Sequence, residues 1–207
     1  MKKMKKIFIV LFTIFLSVSF TSCKSDKKET KIDNSEKNTA FSLKKAESEI
    51  NFTAYKFTEK KGVGGQFRQV DITSGGSGNS IKEAINNAEF SIPVKSLFTQ
   101  NSSRDYKIQK FFFGVMSNTK LLSGKLMIEN DSIGLAVIKM NGISETVPFK
   151  YTIANNTFAM NATMDVTNWN ALNALASLNK VCEILHTGAD GVSKTWSDVA
   201  LNITTKF

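Results

Sequence analysis

The sequence predicts an all-β protein, an eight-stranded antiparallel barrel with one or two short helices. Apolar and polar residues alternate with period two in successive segments between Phe41 and Phe207, as half-buried strands require. Turn residues separate these segments, and the strand–helix–strand alternation of a parallel sheet is absent from the pattern. Eight strands enclose an interior wide enough for one small ligand.

The N-terminus has the pattern of an export signal. A lysine-rich start precedes an apolar run of 14 residues, Ile7–Phe20, whereas a helix that spans a bilayer needs about 20. Thr21 and Ser22 then precede Cys23, and small residues before a cysteine resemble the lipobox of bacterial lipoproteins. We expect residues 1–22 to be a lipoprotein signal peptide and Cys23 to be lipidated. The alternative is an ordinary secreted protein with an unmodified cysteine.

Residues 23–40 are predicted to form a tether that carries this lipidated cysteine. Charges of both signs dominate the segment, and it holds too few apolar residues to offset the entropy of folding. The mixed charges predict retention on the periplasmic side, and we expect anchorage to the outer membrane. Cleavage before Cys23 removes four lysines and lowers the formal charge from +9 to +5. Without a later basic stripe carrying interleaved aromatics, we expect no nucleic-acid partner.

The first three strands are predicted between Phe41 and Val94. The second ends near Ile72, and the glycine-rich residues 73–80 predict an exposed loop. Ile81 and Ile85 then have helical spacing, and Pro93 indicates an edge or a bulge in the third strand. The apolar positions of the first and third strands are Ile50, Phe52, Ala54, Phe90, Ile92 and Val94.

Five further strands are predicted after residue 120. Asn141-Gly142 predicts a type I′ hairpin turn, and Asn155-Asn156 predicts another turn. Between the last two strands, apolar residues from Trp169 to Leu185 recur with helical spacing, and Gly188 is expected to cap that helix. The apolar strand positions include Leu122, Leu126, Ile128, Ile133, Leu135, Val137, Val147, Phe149, Tyr151, Phe158, Met160, Val199, Leu201 and Ile203.

The stretch from Phe98 to Phe113 is the most specific in the chain. Asn101, Ser102 or Ser103 can cap the first turn of a short helix, and Asp105 then lies at the positive end of the helix dipole. An Arg-Asp pair opens this helix, and three phenylalanines, Phe111 to Phe113, close it.

This stretch resembles the signature of the YceI-like family, which has a hydrophobic-Thr-x-Asn run, then Arg-Asp, then Phe-Phe. Gly65-Gln66-Phe67 is similar to an early Gly-x-Phe of that family. The block Met140–Phe149 is similar to its Gly-hydrophobic-Thr-x-x-Val hairpin, with Ser144 at the usual Thr position. The resemblance extends from Phe41 to Phe207.

The resemblance implies a lipocalin-like barrel in a bacterial periplasmic protein that binds a polyisoprenoid lipid. It also implies that a family motif lies at the barrel mouth, formed by Arg104, Asp105, Phe111 and Phe112. The alternation of the strands gives the candidate ligand-binding residues of the interior, which are Phe52, Phe90, Ile92, Phe149, Tyr151, Phe158, Met160, Leu201 and Ile203.

An enzyme is not expected from the residue types present. His186 is the only histidine, no His or Cys spacing predicts a metal site, and no carboxylate pair is singled out. Cys182 lies on an apolar helical stripe, which predicts a buried, inert thiol. We therefore expect a lipid-binding lipoprotein for storage or transport that needs no cofactor. The alternative is an envelope interaction module whose barrel is filled by its own side chains.

Overall fold

The computed structural model describes residues 39–207. The predicted signal peptide, residues 1–22, and all but the last two residues of the predicted tether lie outside the described residues. The strands are β1 (Phe41–Ser42), β2 (Glu47–Lys56), β3 (Lys61–Phe67), β4 (Asp71–Ser74), β5 (Ser77–Gly78), β6 (Glu89–Pro93), β7 (Leu97–Phe98), β8 (Leu121–Ile128), β9 (Ile133–Met140), β10 (Ile143–Ala154), β11 (Thr157–Asp165) and β12 (Thr195–Lys206). The helices are α1 (Ile81–Ile85), α2 (Ser102–Phe111), α3 (Leu172–Val181) and α4 (Glu183–His186).

The strand pairings form a ring. From β6 the antiparallel pairings pass through β8, β9, β10, β11, β12 and β2 to β3. The ring closes because β4 pairs with β6 while β3 pairs with β7. Strands β3 and β4 are thus the two parts of one broken strand, and β6 and β7 are the two parts of its partner. Counted this way the ring has eight strands, and the all-β, lipocalin-like fold class is confirmed.

The break in the β6–β7 strand follows from Pro93. Proline lacks a backbone N–H and is therefore confined to strand ends, edges and bulges. A 3₁₀ turn at Val94–Ser96 comes directly after it. The backbone N–H of Arg68 still donates to the Ser96 carbonyl across the break (3.0 Å), so the two broken strands stay joined. The predicted second and third strands are therefore each found as two shorter pieces.

The hairpins follow the turn chemistry of their residues. Asn141 and Gly142 have φ values of 51° and 76°, and Asn155 and Asn156 have values of 48° and 58°. Positive φ at both central positions is the requirement of a type I′ turn. The predicted Asn-Gly turn between β9 and β10 is confirmed, and the turn between β10 and β11 is of the same kind.

The barrel has two different ends. Helices α2, α3 and α4 lie in the connections at the end where β2 finishes and β12 begins, which we call the α2–α4 end. Helix α1 lies at the other, the α1 end, together with the small β1–β5 sheet. None of the helices within residues 39–207 is long and apolar enough to cross a bilayer.

The helical segment between β11 and β12 is shorter and more interrupted than predicted. Trp169, fully buried, closes a 3₁₀ turn, and the left-handed Asn170 (φ 53°) prevents a helix from continuing through it. Helix α3 then begins at Leu172, and a break at Cys182 separates it from α4. Gly188 directly follows the C-cap Thr187 of α4, but its φ is not positive, so it does not form the left-handed glycine cap expected there.

Candidate functional site

The larger of two internal chambers lies between the barrel wall and helices α2 and α3. Its volume is about 180 Å³, which exceeds the roughly 150 Å³ of an engineered apolar cavity that stays dry and binds benzene. The strand residues on its wall include Ile50, Phe52, Ala54, Phe67, Met164, Val199 and Leu201. The side chains from the helical segments include Ile108, Phe112, Phe113, Leu175 and Leu178.

A smaller chamber of about 80 Å³ lies toward the α1 end. Its own wall includes Leu43, Ile72, Ile85, Phe158 and Met160. The two chambers share six wall residues, which form a waist between them: Ile50, Phe90, Ile92, Ile138, Leu201 and Ile203. The barrel interior is therefore partly hollow and apolar along its length.

The few polar side chains on these walls are hydrogen-bonded to protein partners. Ser48 and Thr205 bond each other on the smaller chamber (2.9 Å). On the larger one, the Thr195 hydroxyl donates to Asn179 Oδ1 (2.7 Å) and therefore accepts from His186 Nδ1 (2.7 Å). No buried side-chain N or O atom in residues 39–207 lacks a partner. The chambers thus offer an occupant apolar surface and no free hydrogen-bonding group, which suits a hydrocarbon.

Glycines on neighbouring strands hold three phenylalanine rings against the barrel wall. Phe52 pairs with Gly65, Phe90 with Gly124, and Phe149 with Gly134. In each pair a Cβ on the glycine would overlap the ring. The rings can lie flat across the opposite backbone only because glycine has no side chain, and this arrangement keeps Phe52 and Phe90 from filling the chambers.

Seven of the nine predicted interior residues lie on a chamber wall. Their role in binding stays a prediction. Phe52 lies on the larger chamber, Phe158 and Met160 on the smaller one, and Phe90, Ile92, Leu201 and Ile203 on both.

The other two predicted interior residues, Phe149 and Tyr151, are buried in the packed core and line neither chamber. The Tyr151 ring stacks on Phe158 with the ring centroids 5.3 Å apart. Its hydroxyl donates to the Asn130 carbonyl. Both side chains therefore pack against the wall residue Phe158 and are not themselves part of the wall.

The Arg104–Asp105 pair organises the start of α2. Arg104 Nε donates to the hydroxyl of the buried Thr99 (2.8 Å), and Nη2 donates to the Thr99 carbonyl. Asp105 Oδ1 accepts from the Thr99 backbone N–H (2.9 Å) and from its hydroxyl. Asn101, one of the three residues predicted as possible caps, accepts from the Arg104 N–H and caps the helix. The pair thus ties α2 to the end of β7.

The two phenylalanines of the motif have different surroundings. Phe112 lies on the wall of the larger chamber. Phe111 packs edge-on against the exposed Tyr106, with the ring centroids 6.3 Å apart. Phe113, which the motif did not single out, lines the chamber instead of Phe111.

A polar cleft of about 430 Å³ that includes Arg104 lies beside β2 and β3. Its residues Asn51, Thr53 and Gln66 alternate along these strands with the residues that face the barrel interior.

Sequence reasoning missed the part of the chamber wall that the helices and the start of β12 provide. Ile108, Leu175, Leu178 and Trp196 all line the larger chamber. Trp196 lies next to an irregularity in the β12–β2 register between Thr195 and Val199. Its indole N–H donates to the Phe57 carbonyl (2.7 Å). Between Thr195 and Val199, β12 contains two residues more than the facing part of β2. This excess would have indicated the irregularity, but it is visible only once β2 is known to be the pairing partner.

Burial favours the neutral forms of two titratable groups near the chamber. Burial lowers the pKa of His186, with further lowering by Lys56 and Lys107, so the neutral ring is favoured. Burial raises the pKa of the Cys182 thiol, which disfavours the reactive thiolate. Among residues 39–207, no group of three or more His, Cys, Asp or Glu side chains could hold a metal ion.

Comparison with known proteins identifies the family. A model of the YceI-like domain matches residues 41–207. The chain belongs to the YceI-like family. No curated protein sequence matches it significantly.

Two solved structures illustrate the similarity of this family member to known folds. A polyisoprenoid-binding domain from Saccharophagus degradans, described as implicated in plant cell wall breakdown, is 10% identical with a TM-score of 0.56, covering 81% of this chain and 97% of the other. BcnA from Burkholderia cenocepacia is 11% identical with a TM-score of 0.49, covering 80% and 98%. At 10% identity, the similarity to the first structure shows a shared fold only.

Proposed function

We propose that this YceI-like protein is a periplasmic lipoprotein whose barrel binds an apolar lipid of the polyisoprenoid type, for storage or transport and without catalysis. The observation that carries the proposal is the pair of apolar chambers whose wall hydroxyls are already hydrogen-bonded to protein partners. Family membership supports it, and so does the similarity to the Saccharophagus degradans domain, which is described as polyisoprenoid-binding.

The magnitude of apolar transfer is sufficient for such binding. Each buried CH₂ group contributes about 0.8 kcal/mol, so a five-carbon isoprene unit contributes about 4 kcal/mol when fully buried. A few units then exceed the several kcal/mol that ordering the ligand costs. By comparison with the benzene-sized cavity, the larger chamber holds about one such unit as it stands. A longer chain would pass the waist at Phe90 and Leu201, which must then shift.

The modest volume favours one alternative, a barrel that binds no small ligand and acts as an envelope interaction module. In that case the chambers are packing defects between large side chains. A ligand carrier and a filled barrel differ in what the purified protein contains, so one measurement separates them.

The test is mass spectrometry of an organic extract from protein purified without added lipid, followed by titration with a prenyl alcohol. The wild type is expected to carry or take up a prenyl lipid. Ala54→Phe should block uptake, because Ala54 lines the larger chamber. Ala200→Phe is the matched control. Ala200 lies on β12 next to Val199, the residue that pairs with Ala54, and it is on the opposite face of the strand from the wall residue Leu201. A wild type that carries nothing and binds no prenyl alcohol would refute the proposal.

A further inference from the structure

Exposed apolar side chains are concentrated at the α2–α4 end. Of nine large hydrophobic residues that are exposed within residues 39–207, only Ile133 and Ile153 lie at the α1 end. The other seven belong to α2, α3, α4 and their flanking segments: Tyr106, Val115, Leu121, Leu172, Ile184, Leu185 and Val192. Apolar exposure in such a cluster is typical of an interaction surface.

The most exposed of these residues, Ile184, and two others lie on residues 183–194, which we call the tongue. Ile184 is 91% exposed, Leu185 57% and Val192 48%. Helix α4 begins the tongue, and a narrow turn follows it, in which the Gly188 N–H donates to the Val192 carbonyl (3.0 Å).

Polar contacts hold the tongue backbone to the barrel. Lys56 Nζ donates to the Leu185 carbonyl (2.7 Å), and the Phe57 N–H donates to the Lys194 carbonyl (3.1 Å). The Thr58 hydroxyl donates to the Asp190 carboxylate (2.6 Å). The backbone is therefore fixed in place while the apolar side chains of Ile184 and Leu185 remain exposed.

Basic residues surround the tongue. Residues 56–61, α2 and residues 180–198 together contain eight lysines and arginines against five acidic residues. The net formal charge of these segments is therefore +3, and within them Asp198 forms an ion pair with Lys60. Burial and the neighbouring charges of Lys61 and Arg104 lower the pKa of Lys56, consistent with dense positive charge here.

The tongue also borders the larger chamber. The chain leaves the tongue directly into Thr195 and Trp196, which both line that chamber. Lys56, which donates a hydrogen bond to the tongue, lies on the same face of β2 as the wall residues Phe52 and Ala54. The exposed apolar residues, the positive charge and the chamber thus meet at one end of the barrel.

We propose that the α2–α4 end docks on the headgroup layer of an anionic bilayer, with Ile184 and Leu185 inserted and the larger chamber turned toward the membrane. This inference rests on the proposed function, because a lipid carrier must exchange its cargo with a bilayer. Exposed apolar side chains with lysines on the neighbouring segments match an interfacial membrane site. A fluid headgroup layer needs none of the continuous shape complementarity that a folded partner requires.

The test uses the full chain carrying Cys23→Ser, which removes the predicted anchor and leaves only the buried Cys182. An environment-sensitive fluorophore is attached at Ile184→Cys, and in a matched control at Ile153→Cys, an exposed apolar position at the α1 end. Vesicles of phosphatidylcholine are compared with vesicles that also contain phosphatidylglycerol. We expect the emission at position 184 to rise several-fold with the vesicles that contain phosphatidylglycerol, and the emission at position 153 to stay unchanged. Spin-labelled lipid should quench the rise, and salt should weaken it.

Charge reversal is the second variant. Lys180→Glu, at an exposed position in the last turn of α3, should reduce the response at position 184. Lys150→Glu, exposed on β10, should leave it unchanged. Equal responses in these two variants would contradict the role of local charge.

The remaining outcomes of the vesicle experiment distinguish the docking surface from the lipid-binding function. No response at position 184, in protein that carries prenyl lipid, would overturn the docking surface and leave the proposed function standing. Equal responses at positions 184 and 153 would also overturn it. A response without vesicles that grows with protein concentration would assign the surface to a second copy of the chain. Loss of lipid binding is measured separately, by extraction.

Discussion

At the scale of single residues, the space inside the barrel depends on glycine more than on the aromatic residues themselves. Phe52 and Phe90 line the chambers, and each ring lies across a glycine of the neighbouring strand. Replacing Gly65 by alanine would displace the Phe52 ring, whereas at Gly124 the added Cβ would meet the Val137 carbonyl of the neighbouring strand as well as the Phe90 ring. Phe149 lies on Gly134 in the same way but is surrounded by Tyr151 and Phe158, so it fills the core.

His186 gives a prediction on pH dependence. Burial, followed by Lys56 and Lys107, holds its pKa below the ordinary value. The unfolded chain therefore takes up the proton more readily than the folded one. Stability should be fully present above about pH 6.5 and should fall as the pH drops below that value. Thermal unfolding of the wild type and His186→Asn at pH 7.5 and 5.5 measures this. The wild type should lose more melting temperature than the variant, and equal losses would contradict the prediction.

At the scale of secondary-structure elements, helix α2 is positioned by a network at its own N-terminus. Thr99, at the end of β7, is bonded by both Arg104 and Asp105, and Asn101 caps the first turn. Ile108 and Phe112 then reach the larger chamber. The motif therefore acts on the chamber indirectly, by fixing the helix that covers it.

Arg104→Ala is expected to destabilise the fold by about 1–3 kcal/mol, because Thr99 is buried and loses two donors. Arg104→Lys should recover only part of this, since one ammonium group does not reproduce the fork of the guanidinium. Urea denaturation measures both variants. Lys110→Ala, exposed on the same helix, serves as the control. An unchanged free energy of unfolding together with loss of a measurable turnover would instead point to a catalytic arginine.

At the scale of the whole molecule, the two barrel ends have different properties. Within residues 39–207, the α1 end combines a small sheet and a short helix with two exposed large apolar residues. The α2–α4 end combines the larger chamber, the tongue and an excess of basic side chains. This asymmetry is the feature that an exchange of lipid with a membrane would need.

The predicted anchor is tested by Cys23→Ser. The variant should appear in the soluble periplasmic fraction, because no acyl chains then hold the exported protein to the membrane. Cys182→Ser is the matched control and should stay membrane-bound, since Cys182 is a buried thiol. Fractionation after a high-salt wash, which releases protein held only by electrostatic docking, followed by immunoblotting measures both. Membrane retention of Cys23→Ser equal to that of the wild type would remove the lipoprotein assignment.

The sequence by itself determined the elements that depend on neighbouring residues. The Asn141-Gly142 turn, the Asn101 cap and the strand alternation that puts Phe52 and Ile203 inside were all predictable, because backbone preference and period two act over a few residues. The antiparallel all-β class also followed, although the main sheet has ten strands and reaches eight only when β3 with β4 and β6 with β7 are each counted as one.

Only the tertiary structure decided which interior residues enclose empty space. Both faces of β9 are apolar, so alternation does not distinguish Leu135 and Val137 from Ala136 and Ile138, the two that line the chambers. Phe52 bounds a cavity while Phe149 fills the core, although both lie across a glycine, because the difference comes from residues on other strands and helices. Packing around a cavity depends on side chains that are distant in the chain, and no local pattern records it.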